Sequence, residues 1–166
     1  YAAYPPLFFF LSWVVQLLGL PMLGAMRLVS VAGTFGVVSV LYFLIGERTR
    51  NRVLALGFSA AFLSFWFVKL WAPLARVDMT ACFFSLAGLY VFQVFHGDKR
   101  RYFAFLFFVL AFFVKQNTVM APAAILLFSL IRKEQRPYFL SYLGVYLVPI
   151  FAGFFLLNVY TGGEAF

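Results

Sequence analysis

Six long apolar runs, at 28–45, 53–71, 79–95, 102–114, 118–131 and 138–160, alternate along the chain with short polar breaks. Each reads as a membrane-crossing helix, which needs ~20 apolar residues to pass the ~30 Å hydrocarbon core. The first three runs and the last have about that length. The runs 102–114 and 118–131 are shorter, so these two must stand nearly upright or meet below the surface. The pattern predicts an all-α polytopic membrane protein, a single module over 1–166 with about six transmembrane helices.

The polar breaks set the orientation. Those at 47–52 (ERTRNR), 96–101 (HGDKRR) and 132–136 (RKEQR) hold nine of the thirteen lysines and arginines and fall at every second break. An excess of Lys and Arg marks cytoplasmic loops, so these three are expected in the cytoplasm and the other breaks on the outer or lumenal side. The start, 7–20, is a fourteen-residue apolar stretch bounded by prolines. A crossing there would leave Arg27 in the cytoplasm. It is therefore expected to lie along the outer interface, as a helix or a re-entrant piece.

Composition agrees with a bilayer as solvent: 65% of residues are hydrophobic, 22% aromatic and 11% charged, far from the soluble range. The net charge of +8 would suggest nucleic acid in a soluble protein; here the cations belong to loops facing a membrane, and no nucleic-acid partner is expected. Cys82, the single cysteine, supplies neither an internal disulfide nor a metal cluster. Phosphate-binding glycine loops, paired histidine ligands and a serine elbow are absent from the sequence, and no metal site is read. The chain starts at Tyr1 without a signal sequence and is expected to be an internal piece of a longer protein.

Four cations lie outside the basic loops: Arg27, Lys69, Arg76 and Lys115, all at the outer ends of spans. That side is disfavoured by the rule that orients the chain, so something anionic should hold them. Asp78 is the one acid near them and neutralises at most one, leaving about three positive charges for a ligand. Each also has a plain structural reading. Arg27 and Lys69 can snorkel to headgroups. Arg76 and Asp78 can form an ion pair at the start of a helix, where the carboxylate meets a favourable dipole. Lys115 is harder to explain that way, because FFVKQNTVMAP allows only a short turn between two short helices and an ionisable group at membrane depth points to function. Gln116 and Asn117 can bond that turn or a polar ligand. His96 reads as an interfacial residue, the phenylalanines as lipid-facing bulk, and Trp13, Trp66 and Trp71 as belt aromatics.

YPPL at 4–7, GAMRLVSVAGTFGVVSVLYFL from Gly24, ARVDMTACFFSLAGLYVF from Ala75 and FFVKQNTVMAPAAILLFSL from Phe112 together resemble the membrane module of GT-C fold glycosyltransferases. The similar branch is that of protein O-mannosyltransferases (glycosyltransferase family 39) and lipid A aminoarabinose transferases. The likeness covers nearly the whole chain through loose motifs in a matching order. It implies an integral membrane enzyme, in a bacterial cytoplasmic membrane, that moves a sugar from a polyprenyl-phosphate donor to a lipid, glycan or protein acceptor on the outer face. It also implies an interfacial helix after the PPL element, and a catalytic acid in an outer loop ahead of Tyr1. Tyr4 stands where the aminoarabinose branch often has lysine.

Glycosyl transfer from a lipid phosphate leaves a phosphate, and cations fixed at low dielectric stabilise its charge. Arg27, Arg76 and Lys115 are the candidates for that role, with Tyr4, Asp78, Gln116 and Asn117 assigned to the substrate cavity. Asp78 is expected to orient a cation; binding a divalent ion or serving as base are its other open roles. Two other classes are compatible with outward cations: a transporter or flippase for an anionic lipid or solute, and a non-catalytic membrane scaffold.

Overall fold

The computed structural model describes residues 6–95 and 99–162, and these form helices joined by short turns, without a strand. Tyr4 and His96 lie outside the described residues. The helices are α1 (Leu7–Gln16), α2 (Met22–Thr49), α3 (Arg52–Phe62), α4 (Trp66–Trp71), α5 (Asp78–Val94), α6 (Tyr102–Val114), α7 (Met120–Ile131) and α8 (Phe139–Tyr160). Two stretches, Met22–Thr49 and Arg136–Tyr160, are long and apolar enough to cross a membrane. The other helices expected as spans are shorter: α5 has 17 residues, α6 13 and α7 12.

The run 53–71, expected as one span, is divided in two. Ser64 turns its hydroxyl onto the Ala61 carbonyl at 2.6 Å, and Phe65 adopts an extended backbone (φ −61°, ψ 132°) before α4 begins. Over Leu63–Phe65 the backbone N–H groups bond three residues back, to Ala60, Ala61 and Phe62, so the helix has tightened into a 3₁₀-type turn at the break. The expected 7–20 helix stops at Gln16, because Gly19 takes a positive φ of 85° and Pro21 opens α2. α2 in turn outruns its expected 28–45 at both ends. Asn51 caps α3, accepting from the backbone N–H groups of Val53 and Leu54, where the four first donors of a helix otherwise lack partners.

Contacts between rings and small residues fix the directions. α2 and α5 run parallel, with Thr80 Oγ1 donating to the Val29 carbonyl near one end and Tyr90 donating to Glu47 near the other. α6 returns antiparallel to α5, pairing Phe92 with Phe105 and Phe84 with Phe107. α8 is parallel to α6, with Tyr142 stacked on Phe105 and Phe154 edge-on to Phe112. The bundle thus brings the segments around 47–52, 99–101 and 132–136 to one end. Arg27, Arg76, Asp78 and Lys115 belong to the other.

α2 crosses α5 closely because Gly33 faces backbone: a Cβ there would lie 2.8 Å from the Cα and N of Thr80. Neither atom can move without moving α5. Overpacking of this kind costs about 1–3 kcal/mol, so Gly33→Ala is expected to lower the unfolding midpoint in detergent, while Gly57→Ala, with open space around it, leaves it level or raises it. Equal midpoints for Gly33→Ala and the parent would refute the close crossing.

Candidate functional site: a cation–carboxylate cluster at the α5 start

Beneath this end of the bundle Phe8, Val29, Val77, Ala81 and Val114 are buried against one another, with Leu11, Met26 and Phe84 around them. These side chains come from α1, α2, α5 with its N-cap Val77, and α6. Val77 immediately precedes Asp78 and Val114 immediately precedes Lys115, so apolar packing fixes both backbones and the next residue of each is carried to the rim.

Lys115 caps α6 in an extended conformation (φ −154°, ψ 118°), and its carbonyl accepts from the Thr118 hydroxyl at 2.8 Å. Its ammonium donates to Asp78 Oδ1 at 2.5 Å. Asp78 occupies the first turn of α5, where a negative charge is favoured by the helix dipole. Arg76 Nε stands 3.5 Å from Asp78 Oδ2. That is an ion pair without hydrogen-bond geometry, and Oδ2 is buried with no donor on it among the described residues. The Arg76 guanidinium is held instead by the Trp71 ring, 4.3 Å from its centroid, a cation–π arrangement.

Asp78 therefore meets two cations while neutralising the charge of one, and Lys115, expected to be left for a ligand, is one of its partners. The reason is length: the turn after α6 sets Lys115 opposite the first residue of α5, within reach of the carboxylate. The cluster keeps a net charge of +1. Arg27 does not join it by contact. It is exposed on α2 and makes no hydrogen bond or ion pair among the described residues, although Met26 and Val29 beside it pack under the cluster. Gln116 and Asn117 are exposed and leave the turn to Thr118. Lys69 is exposed on α4. No group of three or more His, Cys, Asp or Glu that could hold a metal occurs among the described residues.

Trp71 and Thr118 are parts of the site that the sequence reading missed. Trp71 was expected in the aromatic belt; the Pro73 turn between it and Arg76 is the one local signal that the two could meet. At the opposite end Arg101, expected as a loop cation, is 3% exposed and donates to the Phe95 carbonyl at 3.1 Å and to Gln135 Oε1 at 2.5 Å. Gln135 is itself buried, at 7% exposure. This pair ties the end of α5 to the α7–α8 turn.

A comparison of the chain with protein-family models, curated proteins and solved structures finds no match.

Proposed function

We propose that the chain is the membrane module of a glycosyltransferase that takes a sugar from a polyprenyl-phosphate donor and transfers it on the outer or lumenal face, with six spans and α1 lying along the outer interface. The observation that carries this reading is the pair of cations, Arg76 and Lys115, converging on Asp78 at one end of an apolar bundle. Both retain free donor capacity. An ammonium has three N–H donors and a guanidinium five; Lys115 uses one, and Arg76 makes no side-chain hydrogen bond among the described residues. A phosphate leaving group needs such donors as its charge develops. Arg27 is assigned to the approach to this site, reached by long-range attraction.

The break at 63–65 gives a specific reason to keep a transporter of anionic lipids as the second reading, since interrupted helices are where transporters place their sites. The break carries no charge, however; its one polar side chain, Ser64, is occupied by Ala61. The two readings separate in proteoliposomes of the full-length protein supplied with polyprenyl-phosphate-linked sugars. Transfer predicts release of free polyprenyl phosphate. Movement of the intact lipid between leaflets without release would establish the transporter and end the transferase reading.

Topology is tested separately. In a Cys82→Ala background, cysteines at Thr49 and Lys133, both exposed, are expected to react with an impermeant maleimide from the cytoplasmic side, and one at Asn117 from the outer side. Gln135, a natural choice from sequence, is buried and unsuitable. Outer labelling of Thr49 or Lys133 would overturn the orientation.

A further inference from the structure

We infer that Asp78 is an internal stand-in for the anionic ligand, seated between Lys115 and Arg76 where a phosphate would sit, and that it sets the affinity of the site by competing for Lys115. This rests on the reading of the cluster as a phosphate site. The carboxylate is held unequally. Oδ1 takes a short bond from Lys115 Nζ, at 2.5 Å, whereas Oδ2 is buried, accepts no hydrogen bond and has Arg76 Nε at 3.5 Å. A buried carboxylate oxygen without a donor carries an unreturned desolvation cost, so one half of the group gains little from staying in place.

The Arg76 guanidinium and the Lys115 backbone, by contrast, have supports other than Asp78. Arg76 is positioned by the Trp71 face and Lys115 by the Val114 packing and the Thr118 bond to its carbonyl. Their side chains are 41% and 29% exposed, and that of Asp78 is 18% exposed. The donors therefore open outward while the acid lies behind them. An entering phosphate offers more acceptor oxygens than one carboxylate and can take donors from both cations at once. It replaces Oδ1 at Lys115, and the side chain of Asp78 turns away from a like charge.

The experiment is isothermal titration of the full-length protein in nanodiscs with two probes, inorganic phosphate and dodecyl phosphate. Removing one like charge within a few ångströms of the bound anion is worth about three- to tenfold in affinity. Asp78→Asn is expected to strengthen binding by that factor, and Asp78→Ser to do the same if the asparagine variant fails to fold. A gain for both probes, or for inorganic phosphate alone, identifies a site open to free phosphate; a gain confined to dodecyl phosphate identifies a lipid headgroup. If Lys115→Ala weakens binding and the Asp78 variants weaken it too or leave it unchanged, Asp78 positions the cations and the competition is refuted. If neither Lys115→Ala nor Arg76→Ala changes binding, the phosphate site itself is refuted.

Discussion

Lys115→Ala in the full-length protein is expected to weaken binding of polyprenyl phosphate by about ten- to a hundredfold. Two losses combine. In the proposed site the ammonium would be a charge-assisted donor to the headgroup, worth about 1.5–3 kcal/mol, and at ~1.4 kcal/mol per decade that gives the stated range. Its removal also leaves Asp78 Oδ1 without the one donor it has among the described residues, so an incoming phosphate would meet a carboxylate balanced by Arg76 alone among them. Lys69→Ala, at an exposed residue of α4, is expected to change the affinity by less than about threefold. Titration in nanodiscs, with unfolding midpoints checked for both variants, measures the difference. A folded Lys115→Ala protein that binds like its parent would remove the phosphate site from the α5–α6 junction.

At the opposite end of the bundle, Gln135→Leu is expected to cost about 3 kcal/mol of stability and Arg101→Met distinctly less. Arg101 is a buried cation whose Nη2 already lacks a hydrogen-bond partner among the described residues. Taking away Gln135 Oε1 would orphan Nη1 as well, and an under-paired buried charge is among the more costly defects known. Replacing the arginine removes the charge together with its needs, and an apolar side chain of similar length can lie along the Phe92 ring, which the guanidinium now faces at 5.1 Å. The readout is the unfolding midpoint in detergent. Should Arg101→Met prove the more damaging, the guanidinium bonds outweigh the desolvation and the argument is reversed.

The helices themselves were legible from sequence because apolar runs and polar breaks are local signals. The 63–65 break was not, since Leu63 and Phe65 are as apolar as their neighbours, and a serine is no marker of a break where Ser59 and Ser129 bond carbonyls inside continuous helices. The charges that matter were also visible: Arg76, Asp78 and Lys115 stand out against their surroundings. Their partnership was not, because residues 78 and 115 are joined by the return of α6 along α5, and nothing in either segment states how far that return reaches. Arg101 shows the converse difficulty. In KRR at 99–101 three cations look alike, and which of them turns inward depends on Phe92 and Gln135, supplied by distant parts of the chain.

The shortness of α6 gives the cluster its depth. Phe113 lies against Gly153 of the parallel α8, and α8 then continues to Tyr160, seven residues farther, or about 10 Å at 1.5 Å per residue. Lys115 follows Phe113 by only two residues, so α8 runs on past the level of the cluster. If α8 crosses a bilayer, as we propose, that level lies short of the outer end of the span. On that reading a water-borne anion would have to shed hydration to descend there, while one anchored by an apolar chain would already diffuse at that height, at a local concentration set by the membrane and independent of the bulk solution. At that level the anion would also lie in a medium less polar than water, where counter-ions of the buffer screen it weakly.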